Sequence, residues 1–174
     1  MLEGKNVNLR IVEKEDLLLL HEWDNNPDFR GELEQLIEET ETDLEKRYDN
    51  LKDSQWFFIE KKDGTKIGDI AHVLSAGEVE IGYFVVPNER KKGYATEAIT
   101  IMVDYLFLSK DIERIQAKAD PENIASCRAL DKAGFKKEGI LRKSFFARGR
   151  WKDDCVFSIL REEWKEPKIL AKTV

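Results

Sequence analysis

Alternation of apolar and polar positions recurs along the chain and predicts a sheet. The clearest run covers 78–86, where Val79, Ile81, Tyr83 and Val85 share one face and charged or small residues take the other. Similar runs predict strands at 7–12, 55–60, 66–74, 114–119, 136–146 and 151–161. Together these seven runs predict a seven-stranded sheet, mostly built from antiparallel neighbours joined by short turns.

Apolar residues at three- and four-residue spacing predict the helices between these strands. The longest begins at Tyr94 and carries one apolar face through Phe107. A second helix is expected over 15–25, and a third runs from a capping Asn123 to Ala133 with Gly134 as its stop. The segment 28–53 has helical composition, with the second of its helices starting near Thr40.

Composition limits the class of protein. A chain of 174 residues is normally one domain, which we place at 1–165 with a loose tail at 166–174. A net charge of −6 argues against general nucleic-acid binding. No apolar run approaches the ~20 residues of a membrane span, so a cytoplasmic protein with no membrane partner is expected. Two cysteines and two histidines lack metal-ligand spacing, so no metal is expected.

The acidic segment, residues 28–53, holds ten acidic and four basic residues. Its first interpretation is a solvated helix face. Its second is an acidic rim that attracts a cationic amine.

A basic turn joins the strand 78–86 to the long helix. It reads Arg90-Lys91-Lys92-Gly93 and is followed by Tyr94, where the helix begins. A helix start presents unpaired N–H groups and a partial positive charge, and glycine allows a ligand to approach the backbone. The combination suits a phosphate or pyrophosphate, although a solvated basic loop is the plainer interpretation.

The turn resembles the acyl-CoA-binding motif of the GNAT acetyltransferase superfamily, Arg or Gln, two residues, Gly, one residue, Gly or Ala. Farther along, Asn-x-x-Ser at 123–126, Gly-Phe at 134–135, Glu-Gly at 138–139 and Gly-Arg-Trp-Lys-Asp at 149–153 are similar to the RimJ/RimL-type branch, the ribosomal-protein N-terminal acetyltransferases. Matching pieces occur in the right order across the domain. The resemblance implies a single α/β (α+β) GNAT-like domain, with a mixed, mostly antiparallel sheet and about four helices on its two faces.

The resemblance also implies how acetyl-CoA would be held as co-substrate. Backbone amides of the basic turn and helix start would cradle the pyrophosphate, and exposed strand backbone would pair with the pantetheine arm. An amide near Val85 or Val86 would polarise the thioester carbonyl. The residues expected to bind the co-substrate are Phe84, Val85, Val86, Arg90, Lys91, Lys92, Gly93, Tyr94, Ala95, Thr96, Asn123 and Ser126.

Two residues are expected to take part in the chemistry. Glu80 is the first candidate base, with Glu78 second on the same face, and either acts directly or through water. Ser126 is expected near the sulfur, because Leu130 stands where many GNAT enzymes carry a tyrosine acid. From the residues alone, Asn123 and Ser126 are also explained by helix capping, and Glu80 by a solvent-facing strand position.

Other side chains are assigned smaller parts. Cys127 is expected in the core, because direct transfer needs no acyl-enzyme. Five aromatic residues are candidates for the wall of an acceptor cleft, at least half of them expected in the core instead: Trp23, Phe29, Phe145, Phe146 and Trp151.

The function expected is transfer of acetyl from acetyl-CoA to a primary amine by an acyltransferase of class EC 2.3.1.-. The RimJ/RimL-type branch suggests a protein N-terminus, including that of a ribosomal protein. The alternative acceptor is a small cationic amine, namely a polyamine, an amino acid or an antibiotic. A non-catalytic CoA-binding sensor is the alternative of another class, and a plain scaffold is a third. The sequence leaves open whether the chain forms a homodimer.

Overall fold

The computed structural model describes residues 1–31, 33–51, 54–75 and 78–169. Its centre is an eight-stranded sheet with the order β1-β2-β3-β4-β5-β6-β8-β7. The strands are β1 (Leu2–Glu3), β2 (Val7–Ile11), β3 (Ser54–Lys61), β4 (Lys66–Ser75), β5 (Glu78–Val85), β6 (Arg114–Ala119), β7 (Lys136–Ala147) and β8 (Arg150–Leu160). Among these described strands, only β5 and β6 pair in parallel, and every other neighbouring pair is antiparallel.

Five α-helices connect the strands in the described residues. They are α1 (Leu17–Asp24), α2 (Pro27–Arg30), α3 (Glu41–Asp49), α4 (Tyr94–Ser109) and α5 (Ile124–Ala133). Short 3-10 turns at Lys14–Asp16 and Pro87–Glu89 precede α1 and the basic turn. The helix ends follow local chemistry: Thr40 caps α3 through its side chain, and Gly134 ends α5 with a φ of 101°.

The sheet carries a hydrophobic core on each face. On one face α4 buries Ile99, Met102 and Leu106 against β2, β4 and β5, and α5 extends this core with Leu130. On the other face Leu17, Leu20 and Trp23 of α1 join neighbours from α3 and β3. The mixed sheet with helices on both faces is confirmed.

The structure differs from the sequence-based prediction in three places. An eighth strand, β1, adds two residues beside β2. Among the described residues of the acidic segment, helix occurs only in α2 and α3, because 33–40 forms no helix despite its composition. The segment 166–169 makes more contacts than expected, since the backbone N–H groups of Lys168 and Ile169 donate to Asp104.

Several predictions fall on residues outside the described part of the chain. They are the end of the acidic segment at 52–53, the turn at 76–77 and the last residues of the tail, 170–174. Among the described residues, no helix is both long and apolar enough to cross a bilayer.

Candidate active site

β5 and β6 separate partway along their length. Their parallel ladder covers only Val79–Ile81 against Ile115–Ala117, whereas β6 stays paired with β8 along its whole length. Beyond Ile81 the residues 82–85 of β5 therefore face a gap towards 118–119 of β6. We call this gap the slot.

The register shows which peptide groups of β5 face the slot. The N–H of Val86 donates to the carbonyl of Ile67 at 2.9 Å, so it points towards β4. Hydrogen-bonded and non-hydrogen-bonded pairs alternate in an antiparallel ladder, so Phe84 also faces β4 while Tyr83 and Val85 face the slot. The expectation that Phe84 and Val86 present free backbone there is wrong. Val85 does direct its backbone N–H into the slot, and Tyr83, which was not expected to do so, directs its backbone there as well.

The slot leads to the start of α4. Gly93 caps this helix in the left-handed region, with a φ of 87°, and its side-chain position is open to a radius of 4 Å. No side chain of the described residues caps the helix, which leaves the first-turn N–H groups at 94–96 for a ligand. A pyrophosphate fits this position, since α4 is a 16-residue helix with a Gly at its cap.

The three cations of the basic turn do different things. The Arg90 guanidinium folds back against the protein surface, where it donates to the carbonyls of Val85 at 2.8 Å and Phe29 at 2.6 Å. Lys92 pairs with Glu89 at 2.9 Å. Lys91, with a φ of 63°, has an exposed side chain. Arg90 therefore ties the end of β5 to α2, and Lys91 is the cation of this turn that has no acidic partner among the described residues.

The start of α5 borders the slot on the side of α4. Asn123 caps this helix, its side-chain oxygen accepting from the Ser126 N–H at 3.1 Å, as the plainer interpretation of Asn123 requires. The Ser126 hydroxyl lies 2.7 Å from the hydroxyl of Tyr83, which reaches across from β5. Leu130, four residues on, is fully buried. Burial raises the pKa of Cys127, which suits a packed thiol rather than a nucleophile.

The two candidate bases lie on β5, on the face opposite this serine. Glu80 is half-buried, and one oxygen of its carboxylate, Oε2, accepts both from Lys118 at 2.9 Å and from the Gln116 amide at 3.1 Å. Glu78 is exposed at the start of the strand. A base at Glu80 must therefore work beside a cation that already neutralises it.

A buried ion pair braces the turn that leads into α5. Lys152 of β8 contacts Asp120, and both side chains are about 95% buried. The other oxygen of Asp120 accepts from the Glu122 N–H at 2.8 Å. The turn before Asn123 is thereby fixed to β8, which orients the cap and the serine behind it.

A cavity of about 750 Å³ opens on the face of the sheet that carries α1 and α2. Its lining combines Trp23 and Phe29 with the carboxylate of Asp28 and with Lys66, a lysine paired to Asp16. It reaches Val86 and the 3-10 turn Pro87–Glu89 beside the end of the slot. Two of the five aromatic candidates thus line a cavity near the end of the slot.

The tip of the β7–β8 hairpin lies over a second, smaller cavity. Phe146 lines it together with residues 35–36, and Trp151 packs edge-on against Phe146 with 60% of its surface exposed. The Arg148 guanidinium donates to the carbonyls of Gly31 and Glu34, at 2.8 Å and 3.2 Å. The hairpin tip and the acidic segment are therefore joined beside the face of the sheet that carries α1 and α2, which we call the acceptor face.

A sequence model described as an acetyltransferase (GNAT) domain matches residues 6–136, about three quarters of the chain. The chain belongs to the GNAT acetyltransferase family. Within this GNAT chain, the match covers β2 through α5, and hence both sides of the slot.

Similar proteins carry related descriptions. The spermidine N(1)-acetyltransferase of Escherichia coli K12 is 30% identical over 167 residues, which cover 90% of this chain and 89% of that protein. An uncharacterised N-acetyltransferase of Bacillus licheniformis is 43% identical over 88 residues, 51% of this chain and 49% of its own. The matched part spans about half the length of the first curated relatives of this kind.

Solved structures share the architecture. A spermidine N-acetyltransferase of Vibrio cholerae in complex with CoA and spermine superposes with a TM-score of 0.79 at 25% identity, covering 91% of this chain and 98% of that one. A chimera built on that enzyme gives a TM-score of 0.83 at 23% identity, covering 92% and 98%, and shows the fold alone. These relatives are spermidine and other N-acetyltransferases, and none of them points to the RimJ/RimL-type branch.

Sequence reasoning missed two polar residues of this GNAT site. Alternation places Tyr83 only on the apolar face of its strand, although that face adjoins α5. Asp69 lies opposite Phe84 in the register of β4 and β5 and shares its face with Phe84 and Glu80. The only local signal for Asp69 is a lone acid between Gly68 and Ile70 in an apolar strand.

The surroundings of Asp69 are unusual for a carboxylate. It is half-buried and has no hydrogen-bond or ion-pair partner among the described side chains, while Arg30 and Arg47 nearby both pair with Asp24. Burial, reinforced by the charge of Asp24, raises the pKa of Asp69 to about 7. A carboxyl group that titrates near neutrality suits proton transfer.

Among the described residues, no group of three or more His, Cys, Asp or Glu side chains is arranged to hold a metal ion.

Proposed function

We propose that this chain is an acetyl-CoA-dependent N-acetyltransferase whose acceptor is a small cationic amine of the polyamine class. The observation that carries the proposal is the slot, where the backbone of Tyr83 and the N–H of Val85 lead directly to the uncapped start of α4. An extended amide-bearing chain that ends in a pyrophosphate matches both features.

The pantetheine arm of acetyl-CoA would add to β5 as a further strand along the slot. The N–H of Val85 is then the donor for the thioester carbonyl or the adjoining amide, with the N–H of Tyr83 one position deeper. Arg90 donates to the Val85 carbonyl, so the backbone of the residue whose N–H polarises the thioester is anchored before a ligand arrives. The backbone at 93–96 and the side chain of Lys91 would receive the pyrophosphate.

A small cationic acceptor agrees with the acceptor face. Asp28 lines the large cavity, and Asp69 carries no partner of its own among the described residues. The net charge of −6 adds a general attraction for cations. Several relatives that match over most of the chain are spermidine acetyltransferases, which supports this acceptor over the N-terminus of a ribosomal protein.

Two carboxylates are candidates for the proton acceptor. Glu80 would act through Oε1, directly or through water, because Lys118 and Gln116 both hold Oε2. Asp69 lies closer to the end of the slot: Phe84 is its direct neighbour across the ladder, about 5 Å away, whereas Glu80 is four residues or about 13 Å back along the strand. The pH profile of kcat for Glu80→Gln and Asp69→Asn separates them, since the variant that lacks the base loses the acidic limb.

Calorimetric titration with acetyl-CoA tests the cradle. We expect one-to-one binding to the native protein, and Lys91→Glu to weaken it about 10-fold or more, because a repulsive charge replaces the solvent-facing cation at the helix start. Lys132→Glu, an equal change of charge at the far end of α5, is the matched control and keeps the native affinity.

Two outcomes separate the competing explanations. Normal binding to the Lys91→Glu variant would mean that the cradle is misplaced. Binding of acetyl-CoA without thiol release in the presence of any amine would favour a CoA-binding sensor over an enzyme.

A further inference from the structure

Two hydroxyl groups meet beside the slot. The Tyr83 hydroxyl lies 2.7 Å from the Ser126 hydroxyl and 3.3 Å from the Ser126 carbonyl oxygen. Tyr83 belongs to β5 and Ser126 to the first turn of α5, so the contact joins the two elements that flank the slot on this face.

The tyrosine is positioned by its strand as well as by this contact. Its peptide group faces the slot, and its ring packs against the core formed by α4 and α5. Burial raises the pKa of Tyr83 to about 12, so the phenol stays protonated throughout the neutral range. A protonated hydroxyl in a partly buried position is available as a hydrogen-bond donor.

This chain has no tyrosine at the position where many GNAT enzymes place a phenol near the sulfur. Leu130 stands there and is fully buried in the core. The serine alone would be a weak device, since a lone hydroxyl in the first turn of a helix has several orientations to choose from. The contact with Tyr83 restricts that choice.

We propose that Tyr83 supplies the phenol that Leu130 cannot. It acts with Ser126 as a hydroxyl pair that stabilises the thiolate leaving group. This inference rests on the proposed acetyl transfer. The Tyr83 hydroxyl donates to the Ser126 oxygen, which leaves the Ser126 hydrogen to donate to the sulfur. Tyr83 is a positioning residue in this arrangement, and Ser126 is the group that touches the reacting atom.

The step balances without a further reactant. The amine nitrogen attacks the thioester carbonyl carbon and forms the C–N bond, while its proton passes to the base. When the tetrahedral intermediate collapses, the C–S bond breaks and its electron pair stays on sulfur. The thiolate accepts the Ser126 hydrogen bond and leaves as thiolate, to be protonated by water.

Full proton transfer from Tyr83 is not required, and the acidities disfavour it. A thiol titrates near ~8.5 in water, well below this buried phenol, so the pair supplies hydrogen bonds rather than a proton. Hydrogen bonds to a charged partner in a dry site are stronger than neutral ones, which gives the pair its effect in the transition state.

The test compares Tyr83→Phe with Tyr105→Phe in the full chain. Both changes remove one half-buried phenol hydroxyl and keep the ring, but Tyr105 bonds Gln55 at 2.8 Å in the core between α4 and β3. We expect Tyr83→Phe to lower kcat about 10- to 100-fold with the dissociation constant for acetyl-CoA nearly unchanged. Tyr105→Phe should keep the native kcat.

The selenoester analogue of acetyl-CoA adds a readout that a structural defect would not move. A selenolate leaves more easily because its conjugate acid is stronger, so it needs less stabilisation. The deficit of Tyr83→Phe should therefore shrink with the selenoester. The double variant Tyr83→Phe/Ser126→Ala should be no slower than the worse single variant, since the two hydroxyls act as one unit.

The outcomes are distinct. Native kcat in Tyr83→Phe, or an equal deficit with thioester and selenoester, would overturn the hydroxyl pair while the acetyltransferase assignment stands. Native protein that binds acetyl-CoA but releases no thiol with any amine would overturn the proposed function, and the hydroxyl pair with it.

Discussion

Single residues decide how charge is distributed on the acceptor face. Arg30 and Arg47 both form ion pairs with Asp24. The neighbouring Asp69 has no such partner, and it is partly buried close to the negative charge of Asp24. Such an arrangement costs stability when Asp69 is ionised. It persists where function benefits from a carboxyl group poised near neutral pH.

The cost can be measured through the pH dependence of unfolding. The pKa of Asp69 is about 7 in the folded protein, against ~3.9 for an exposed aspartate. Between those values the folded chain binds more protons than the unfolded one, so the stability contributed by protonated Asp69 is present at low pH and is lost as pH rises towards 7.

Replacing Asp69 by Asn removes this loss, because the amide cannot ionise. We expect the stabilisation of Asp69→Asn over the native protein to be larger at pH 8 than at pH 5, by about 1–3 kcal/mol, since one pKa unit corresponds to about 1.36 kcal/mol. Urea unfolding of both proteins at the two pH values measures it. An equal difference at both would show that Asp69 ionises normally in the folded state.

At the scale of elements, the slot depends on how closely β4 approaches β5. A Cβ added to Gly68 would lie 2.0 Å from the carbonyl oxygen of Phe84. Phe84 is followed in β5 by Val85, whose N–H faces the slot. A side chain at position 68 would push β5 away from β4 and move the free peptide groups.

We predict that Gly68→Ala lowers the free energy of unfolding by about 2 kcal/mol or more, because the clash is with backbone that cannot rotate away. The matched change is Gly139→Ala in β7, where an added Cβ meets nothing within 4 Å. Chemical denaturation of the two variants tests it, and similar stabilities would contradict the close approach of the two strands.

Most helices and strands were predictable, because each has a hydrophobic periodicity that can be recognised in its own stretch of sequence. The alternation at 78–86 and the apolar stripe from Tyr94 both correspond to observed elements, β5 and α4. The helix predicted over 33–40 does not form, because this stretch has too few apolar residues to bury. Its backbone instead accepts a hydrogen bond from Arg148 of the hairpin.

The site was harder to predict than the elements, because its decisive features depend on pairings between distant strands. Which peptide of β5 faces the slot follows from register against β4, and a shift of one residue would exchange Val85 for Val86. The pairing of Glu80 with Lys118 appears only once β5 and β6 are known to be parallel neighbours. The contact between Tyr83 and Ser126 joins residues 43 positions apart.

At the scale of the whole molecule, the two faces of the sheet carry different parts of the proposed site. The face with α4 and α5 carries the helix start, the Tyr83–Ser126 pair and the buried Lys152–Asp120 contact behind it. The face with α1 and α2 carries the large cavity and Asp69, which has no partner within the described part of the chain. The slot passes between them, so a thioester bound there would meet an amine from one side and release its sulfur towards the other.

The most direct test of this account is thiol release from acetyl-CoA by the purified protein, with spermidine as acceptor and a short peptide with a free N-terminus beside it. The account predicts release that depends on protein and saturates with spermidine, with a higher kcat/KM for spermidine than for the peptide. Faster release with the peptide would contradict the polyamine acceptor. No release above hydrolysis with either amine, despite binding of acetyl-CoA, would contradict acetyl transfer to the acceptors tested.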